Sequence, residues 1–362
     1  MVMAKNRVTS PKLADLAKAA GVSKGTASNV FSHPELVRDE VRRHVRQVAQ
    51  AIGYAGPDPK GRLLRGGRVN AIGVATFEPL AYFFADPYAR LLMQGISAAL
   101  DERGAGIALV SAKNREKLAW NIESALVDGF ILLCIEGGPE LVQLTQARQL
   151  PFVALALGKT DELISALGVD DAQGARLAAA HMIGLGHRRF AILGTDFNDD
   201  GSGLRTRAEG EAAQYLTPRD RLRGYFEVLA TNGIDPDSVP IYETRNDPET
   251  VEGALDVFFK RTEPPTALLC MSDRVALFAL DGLKRRGLRV PEDVSVVGFD
   301  GVPEAAAAFP PLTTVAQPIE AMGRRAVDII FEGRGAVHKE VFNVELVVRG
   351  STAPPQNQEM DR

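Results

Sequence analysis

Residues 13–31 read LADLAKAAGVSKGTASNVF, and this stretch decides the fold of the N-terminal part of the chain. Apolar side chains recur at helical spacing from Leu13 to Ala20, and Gly21 follows where the end of a helix favours a left-handed residue. Ser23 is placed to cap a second helix, because its hydroxyl can accept a backbone N–H of the next turn. Two short helices joined by a tight glycine-containing turn are typical of the helix-turn-helix, whose second helix enters the DNA major groove.

The neighbouring residues extend this pattern on both sides. Ser10 and Pro11 predict the start of the first helix, as its N-cap and its first helical residue. Residues 38–52 predict a third helix, with valine, alanine and isoleucine side chains on one face. The opposite face carries three arginines that would contact phosphate groups or would simply face solvent, and the sequence leaves both readings open: Arg42, Arg43 and Arg46.

Charge is distributed unevenly along the chain. Residues 1–68 hold 13 basic and 5 acidic side chains, an excess of +8, whereas the whole chain of 362 residues has a net charge of −4. The remainder is therefore strongly acidic, at −12. A basic segment on an acidic body favours a head that binds a polyanion, and it argues against nucleic-acid binding by the body.

The composition, with 45% hydrophobic and 24% charged residues, is typical of a globular protein. The length of 362 residues favours two or three domains. The apolar runs are too short to cross a bilayer, and the polar N-terminus lacks the apolar stretch of a signal peptide. We therefore expect a cytoplasmic protein with no membrane partner. Cys134 and Cys270 stand in apolar runs without metal-ligand spacing, so both are predicted to be buried, and no metal or cofactor is expected.

From residue 70 onward, short apolar strands alternate with helical segments, beginning with a strand at 71–76. This alternation predicts parallel sheets with helices on both faces, and about 290 residues of it favour two doubly wound lobes. Ligands of such folds bind beyond the carboxyl ends of the strands. The other predicted strands are 107–111, 129–135, 152–156, 190–194, 267–271 and 294–299, and the predicted helices are 88–102, 115–126, 172–185, 219–232, 250–260, 273–286 and 319–331.

The pattern of residues 13–31, followed by the third helix and the residues IGY at 52–54, resembles the headpiece of the lactose/galactose repressor family of bacterial transcriptional regulators. The resemblance covers about sixty residues at fixed spacing, which makes it far more specific than a bare helix-turn-helix pattern. It implies a headpiece that binds double-stranded operator DNA.

The resemblance assigns roles to positions of the second helix. Lys24, Gly25 and Asn29 match positions that face bases, and because Gly25 has no side chain, base preference would depend on Lys24 and Asn29. A lysine suits the acceptors of guanine and an asparagine suits adenine, although Asn29 could instead be an ordinary solvated residue. Three hydroxyl side chains match positions that contact phosphate or support the helix: Ser23, Thr26 and Ser28.

Residues 55–69, AGPDPKGRLLRGGRV, form the predicted linker. In the family that the chain resembles, this region becomes a short hinge helix on operator DNA, and a leucine from it wedges into the minor groove. Leu64 aligns with that leucine, or it docks on the core as an ordinary linker residue. Pro59 and Gly61 depart from the family pattern, so the hinge would be less helical or would fold only on DNA.

The later segments resemble the effector core of the same family, which is similar to periplasmic sugar-binding proteins. This resemblance implies that a small-molecule effector binds between two lobes. A sugar or a sugar derivative is expected first, ahead of a purine or another small metabolite. The matching segments are VDDAQGA at 169–175, GHRRFAILG at 186–194, RLRGY at 221–225, SDRVA at 272–276, VPEDVSVVGFD at 290–300 and PPLTTVAQP at 310–318.

Two charged side chains are the main candidates for effector binding. Arg221 matches an arginine that points into the interlobe cleft of this family, and its planar fork suits vicinal hydroxyls or a carboxylate. Asp300 follows the predicted strand 294–299, where a carboxylate can accept hydrogen bonds from sugar hydroxyls or from a base edge. Without such roles, Arg221 would be a surface cation of a helix and Asp300 would be a helix cap.

Four other residues are weaker candidates for effector binding. Ser272 stands where the family often has asparagine, and the adjacent Asp273 is predicted to cap the following helix rather than to contact a ligand. Phe77 and Phe84 would stack on the face of a sugar or pack in the core. Gln317 is the last candidate for this pocket.

Three further features are not assigned a role in binding. His187 has no serine, cysteine or carboxylate motif beside it, so it is predicted to form structural hydrogen bonds. The polar stretch at 198–218 is longer than this link usually is in the family, and it would be a specificity element, a lid, or an insertion without function. The tail after Arg349 is predicted to be frayed.

The sequence therefore predicts a helix-turn-helix headpiece (1–54), a hinge (55–69) and a two-lobed core for effector binding and dimerisation (70–362). The expected function is effector-controlled repression at a pseudo-palindromic operator by a homodimer, since no leucine-heptad tail for a tetramer is visible. A sugar-binding protein without regulation is disfavoured by the basic headpiece. An enzyme is disfavoured because no phosphate-binding loop, catalytic triad or metal cluster is apparent.

Overall fold

A computed structural model describes residues 11–54, 56, 69–133, 139–155, 164–198, 201–333 and 336–356. The chain divides into two compact units, Met1–Val69 and Asn70–Arg362. The first unit is helical where it is described, and the second contains two lobes, each built on its own sheet. The expected fold class is confirmed, whereas the bounds of the hinge at 55–69 stay a prediction because nearly all of it lies outside the described residues.

The first unit contains three helices around a small apolar core. Helix α1 is Leu13–Ala19, α2 is Lys24–Ser32 and α3 is Asp39–Ile52, with a short 3-10 helix at Pro34–Leu36 between the last two. Their amphipathic faces converge on one cluster of buried side chains: Leu16, Ala20, Val30, Val45, Ala49 and Tyr54.

Local signals set most of the boundaries of these helices. Gly21 has a φ of 66° between α1 and α2, and Gly53 has a φ of 72° after α3, in the left-handed region that favours glycine. Ser23 caps α2 as predicted, since its Oγ accepts the N–H of Thr26 at 3.0 Å.

The start of α1 differs from the prediction at residues 10–11. The helix begins at Leu13, because the carboxylate of Asp15 accepts the N–H of Lys12 at 2.8 Å and satisfies that end of the helix. Pro11 therefore precedes the N-cap residue Lys12 and does not occupy the first helical position.

A six-stranded, fully parallel sheet forms the first lobe of the second unit. Alternate residues of its central strand enter two separate apolar clusters, so both faces of the sheet are buried. In spatial order the strands are β2 (Gly106–Ser111), β1 (Ala71–Thr76), β3 (Gly129–Leu133), β4 (Phe152–Leu155), β5 (Ala166–Val169) and β12 (Lys339–Phe342). The helices of this lobe are α4 (Tyr82–Ala85), α5 (Pro87–Asp101), α6 (Arg115–Ser124), α7 (Pro139–Ala147) and α14 (Ile319–Glu332).

A seven-stranded sheet forms the second lobe, and it is parallel except for its two edge strands. In spatial order the strands are β13 (Glu345–Val347), β11 (Thr313–Ala316), β10 (Ser295–Asp300), β9 (Ala267–Cys270), β6 (Phe190–Gly194), β8 (Ile241–Glu243) and β7 (Gly203–Arg205). The helices of this lobe are α8 (Asp171–Gly184), α9 (Arg207–Glu211), α10 (Leu216–Thr231), α11 (Pro248–Phe259), α12 (Asp273–Arg285) and α13 (Pro303–Ala307).

The chain passes between the two lobes three times, after β5, after β11 and after β12. Each lobe therefore combines segments that are distant in sequence. We call the groove between the lobes the cleft; it is bordered by Asp86 of the first lobe and by Asn246 and Arg274 of the second.

The predicted strands and helices of the core occur with small shifts at their ends. The strand predicted at 294–299 is Ser295–Asp300, and the helix predicted at 219–232 begins earlier, at Leu216. The strands β5, β7, β8, β11, β12 and β13 were not predicted, because three or four residues show no measurable periodicity. In the described part of the chain, no helix is both long and apolar enough to cross a membrane.

The polar stretch at 198–218 is more regular than the sequence indicates. Its described residues include the edge strand β7, the short helix α9 and the start of α10. The Nε of Arg205 donates to Glu243 at 2.5 Å, and the N–H of Glu209 donates to Thr206 Oγ1 at 3.2 Å. These residues are therefore part of the second lobe, because β7 adds to its sheet through β8, whereas a role as a specificity element or a lid stays a prediction.

The tail after Arg349 is packed rather than frayed as far as residue 353. Ser351 is fully buried, and its Oγ donates to the carbonyl oxygen of Val296 at 2.7 Å. The ring of His187 bonds to Thr266 Oγ1 and to the carbonyl oxygen of Ala353, each at 2.9 Å. His187 thus has the structural role predicted for it, and Cys270 is buried as expected, whereas Cys134 lies outside the described residues.

Helices α5 and α14 pack closely at Gly95, so one added methyl group at this residue should strongly affect the stability of the protein. A Cβ on Gly95 would overlap the carbonyl oxygen of Glu320, so Gly95→Ala is expected to destabilise the protein by about 1–3 kcal/mol. Gly184→Ala is the matched control, because no atom lies within 4 Å of a Cβ there and alanine favours a helix by roughly 1 kcal/mol. Thermal unfolding should rank Gly95→Ala clearly below the wild type and Gly184→Ala at or above it; equal midpoints would contradict the close helix contact.

Candidate functional site

The residues predicted to contact DNA form one edge of α2. Ser23 and Thr26 support the start of this edge, since their hydroxyl groups hydrogen-bond to each other at 2.9 Å while Ser23 caps the helix. Four predicted positions are exposed or half-buried along it: Lys24, Gly25, Ser28 and Asn29.

The opposite side of α2 fixes the helix on the headpiece. Ala27 and Val30 are buried, and the ring of Phe31 meets the ring of Tyr54 edge to face with 5.7 Å between the centroids. Because this side is packed, the edge that carries Lys24 faces outward.

The three arginines of α3 separate into two groups. Arg42 donates to Asp39 Oδ1 at 2.6 Å and to the carbonyl oxygen of Pro34 at 3.2 Å, so it stabilises the headpiece. Arg43 and Arg46 are exposed, and the reading as phosphate contacts applies to them better than to Arg42. Leu64, the predicted minor-groove wedge, lies outside the described residues.

Arg221 lies at the carboxyl ends of β9 and β10 and is held by groups from three elements. Its Nε donates to Asp171 Oδ1 at 2.8 Å, and its Nη1 donates to the carbonyl oxygen of Met271. The guanidinium carbon lies 3.6 Å from the centre of the Phe299 ring. Since Arg221 is only 6% exposed, it is not the surface cation that the sequence allowed as an alternative.

Asp300 ends β10 beside this guanidinium. Its Oδ1 lies 4.0 Å from Arg221 Nη1 and accepts a hydrogen bond from Gln317 Nε2 at 2.8 Å. Its φ of 130° lies in the region that favours glycine, which indicates that the surrounding structure holds this backbone in place. Burial raises the pKa of Asp300 well above its ordinary value, and the charge of Arg221 acts in the opposite direction. The structure therefore brings Arg221, Asp300 and Gln317 together.

The helix cap that was predicted for Asp273 is provided by its neighbour Ser272. Ser272 caps α12, since its Oγ accepts the N–H of Val275 at 3.1 Å and donates to Asn246 Oδ1 at 3.2 Å. The prediction that Asp273 caps this helix is wrong, because the residue before it occupies the N-cap position. Asp273 instead accepts the N–H of Gly301 at 2.7 Å and holds the loop after β10.

The two predicted phenylalanines have different environments. Phe77 is half-buried among apolar side chains, and the guanidinium carbon of Arg115 lies 4.4 Å from its ring centre. Phe84 is 69% exposed on α4, whereas the adjacent Phe83 is buried. Phe77 thus packs against the core of the first lobe, and a ligand contact stays a prediction for both Phe77 and Phe84.

Asp171, the direct partner of Arg221, is not among the residues expected from the sequence. Asp170 caps α8 by accepting the N–H of Gln173 at 2.9 Å, so Asp171 is free to turn toward the guanidinium. Burial raises the pKa of Asp171, and Arg221 opposes this shift. Two adjacent aspartates directly before the predicted helix 172–185 were the available signal, since a helix start needs only one of them as a cap.

Asp86, a buried carboxylate that joins the two lobes, was also not expected from the sequence. Asp86 caps α5 through the N–H of Ala89 at 3.1 Å, and it is 3% exposed. Its other oxygen accepts from Arg274 Nη1 at 3.2 Å and from Asn246 Nδ2 at 3.4 Å, both in the second lobe. We call this group of Asp86, Arg274 and Asn246 the interlobe clamp.

Two more carboxylates follow strands of the two lobes. Glu78 follows β1, and its N–H donates to Thr76 Oγ1 at 3.1 Å, while Asp196 follows β6. Burial raises the pKa of Glu78, and the charge of Lys113 opposes this shift. Burial, together with the charges of Glu78 and Glu243, raises the pKa of Asp196 to about 6. The charge of Glu78 in the first lobe thus acts on Asp196 in the second.

Comparison with known proteins agrees with both parts of this description. Residues 12–56 match the family described as "Bacterial regulatory proteins, lacI family", and residues 179–352 match a periplasmic binding protein-like domain. An HTH-type transcriptional regulator of Mycobacterium tuberculosis is 37% identical over 350 residues, which cover 95% of this chain and 97% of the relative.

Two solved structures have the same architecture. The transcriptional regulator CelR in complex with cellobiose is 29% identical, with a TM-score of 0.68 over 94% of this chain and 99% of the other. The Lac repressor dimer bound to operator is 24% identical, with a TM-score of 0.74 over 95% and 99%, and this likeness concerns the fold alone. The chain therefore belongs to the lacI family of bacterial regulatory proteins, and it is a transcriptional regulator and not an enzyme.

Proposed function

We propose that the chain is a repressor that binds a pseudo-palindromic operator as a homodimer, and that a carbohydrate effector in the cleft controls its affinity for DNA. The observation that carries the proposal is the buried group of Arg221, Asp171 and Asp300 at the carboxyl ends of the strands. In this proposal, residues 1–54 bind DNA, 55–69 form the hinge and 70–362 form the core.

The outward edge of α2 supports reading of bases in the major groove. Lys24 is exposed in the first turn, where the N-terminal residues of a recognition helix reach base edges. Asn29 lies on the same edge, and its amide can donate and accept toward adenine. Ser23, Thr26 and Ser28 carry hydroxyl groups suited to phosphate oxygens, and Leu64 would supply the wedge at the minor groove.

The polar group around Arg221 supports a ligand rich in hydroxyl groups. Asp300 accepts, Gln317 has both a donor and an acceptor, and Arg221 donates, so the three together can pair with hydroxyls in either direction. Ser272 extends the same polar surface, because its hydroxyl bonds to Asn246 of the interlobe clamp. The solved CelR structure, whose ligand is cellobiose, is consistent with a carbohydrate.

The three passages of the chain between the lobes support coupling of the cleft to DNA binding. A ligand that bridges the lobes shifts their arrangement only by as much as it prefers one arrangement over the other. The interlobe clamp favours the arrangement in which Asp86 meets Arg274. Ligand and clamp thus act on the same equilibrium, which is what allosteric control of the headpiece requires.

A homodimer would cover an apolar region of the first lobe. Trp120 on α6 is 70% exposed and Leu126, just after this helix, is 61% exposed. They follow β2, which is an edge strand of the six-stranded sheet, in the sequence. A second copy of this chain is the partner that a pseudo-palindromic operator demands.

Asn29→Ala is expected to relax the preference for bases while leaving the headpiece folded, because Asn29 lies on the outward edge of α2. The operator would first be selected from random duplexes with the wild-type protein, and binding to it and to single-base variants would be followed by fluorescence anisotropy. Loss of one bidentate contact should reduce discrimination at one base pair by about 1–3 kcal/mol. Gln50→Ala, on the exposed side of α3, serves as the control. An unchanged preference in Asn29→Ala would show that this residue reads no base.

Arg221→Lys is expected to weaken effector binding at least about tenfold, or about 1.4 kcal/mol, while operator binding without effector is retained. Lysine keeps a positive charge beside Asp171 and Asp300 but loses the planar fork that orients hydroxyl groups. Arg176→Lys is the control, since Arg176 pairs with Glu227 at 2.8 Å outside the cleft. A thermal-shift screen of sugars and polyols identifies the effector, and titration calorimetry compares the variants. Equal affinities of Arg221→Lys and the wild type would remove Arg221 from the binding site.

Asp86→Asn is expected to loosen the lobes without unfolding α5, because asparagine is as good an N-cap as aspartate but carries no charge toward Arg274. Small-angle scattering should show a larger radius of gyration without ligand, and effector affinity should fall about fivefold, for a loss of about 1 kcal/mol. Glu304→Gln removes the partner of Arg90 in a half-exposed interlobe pair, which should matter less. Identical behaviour of the two variants would contradict a special role of the buried clamp.

A further inference from the structure

The arginines around the cleft already have carboxylate partners. Arg221 Nε lies 2.8 Å from Asp171, and Arg274 Nη1 lies 3.2 Å from Asp86. Arg205 Nε lies 2.5 Å from Glu243, which is fully buried. A negatively charged ligand that paired with one of these arginines would have to displace its carboxylate partner, which leaves that carboxylate without its own partner.

Arg221 in particular is not arranged as a receptor for an anion. Asp171 and Asp300 both lie within 4.0 Å of it, so two carboxylates surround one guanidinium. Its Nη1 is bonded to the carbonyl oxygen of Met271, and its flat face covers the Phe299 ring. Two of the three nitrogens of the fork, Nε and Nη1, are therefore already engaged, which disfavours a phosphate or carboxylate that would bind with two parallel hydrogen bonds.

Glu78 and Asp196 add negative charge from opposite lobes. In the part of the chain that the structure describes, no ion pair is seen for either side chain, although the charge of Lys113 acts on Glu78. Both are half-buried, and each follows a strand at the end where ligands of doubly wound folds bind. Carboxylates at such positions accept hydrogen bonds from hydroxyl groups and repel anions.

We propose that the cleft selects an uncharged, hydroxyl-rich ligand and rejects its phosphorylated or carboxylated derivatives, and that Glu78 and Asp196 are specificity-determining residues for this rejection. This inference rests on the proposed function, because it concerns the ligand of the same cleft. Hydroxyl groups satisfy the carboxylates with hydrogen bonds, whereas a phosphate adds nearly two negative charges among groups that are already hard to ionise. Rejection by unfavourable charge is a common means of specificity in binding sites.

The first experiment exposes the purified full-length protein to an equimolar mixture of neutral sugars and polyols, their phosphate esters and the corresponding sugar acids. The retained compounds are identified by mass spectrometry after washing and denaturation. We expect neutral compounds to be retained. Preferential retention of a phosphate ester or a sugar acid would overturn the inference.

The second experiment measures how strongly Glu78 and Asp196 contribute to the selectivity. The retained neutral compound and its phosphate ester are titrated into the wild type and into the double variant Glu78→Gln, Asp196→Asn. In the wild type the ester should bind at least about a hundredfold more weakly, which corresponds to about 2.8 kcal/mol. In the double variant this difference should shrink to about tenfold.

A control variant separates the local effect from a change in total charge. Glu123→Gln with Asp281→Asn removes two exposed carboxylates from helices, one in each lobe, and it should leave the wild-type selectivity unchanged. The Glu78 and Asp196 double variant should fold, since it relieves repulsion, and its thermal midpoint checks this. An unchanged selectivity in the folded double variant, or an equal loss in the control, would overturn the role of Glu78 and Asp196.

The outcomes distinguish this inference from the proposed function. If an anionic compound is retained and changes operator binding in a mobility-shift assay, effector control stands and the selection of uncharged ligands is wrong. If no compound is retained and none changes operator binding, the proposed carbohydrate control fails together with the inference.

Discussion

The buried guanidinium of Arg221 is the group on which the second lobe depends at the carboxyl ends of its strands β9 and β10. It joins α10, which carries it, to the start of α8 through Asp171, to the end of β9 through Met271, and to β10 through the Phe299 ring. An unpaired buried charge in this place would destabilise the protein by on the order of several kcal/mol. The carboxylates of Asp171 and Asp300 beside it are therefore needed for the stability of the fold. Asp300, whose backbone has a φ of 130°, places its carboxylate beside this guanidinium, where it also accepts a hydrogen bond from Gln317.

Much of the fold could be predicted because its signals are local. The headpiece depends on Gly21, Ser23 and Gly53, and each acts through its own backbone or the next turn. The long helices and buried strands of the core were predicted to within a few residues for the same reason. The edge strands β7 and β13 exist only through pairing with distant strands, so three residues of sequence carried no sign of them.

The candidate site was less accessible to sequence reasoning than the fold. Arg221, Asp300 and Gln317 were expected from resemblance or from the end of a strand, and the structure brings them together. Asp86 could not be found in that way, because its partner Arg274 is 188 residues away and because capping a helix already explains an aspartate before a proline. The choice between Ser272 and Asp273 as the helix cap could not be predicted either, because both residue types can cap a helix and only the fold decides between them.

Arg221 is neutralised by the carboxylates beside it, and Glu78 and Asp196 add further acidic groups. Under the proposed function, this arrangement limits how a ligand can control DNA binding. A neutral ligand can favour closure only through hydrogen bonds, packing and the release of water, because it brings no charge of its own. The buried pair of Asp86 and Arg274 supplies the electrostatic attraction between the lobes from within the protein. In the proposed function, the ligand contributes only the difference between its affinities for the two arrangements of the lobes. Allosteric coupling is typically about 1–3 kcal/mol, which a few hydroxyl groups bonded to Asp300, Gln317 and Arg221 can provide.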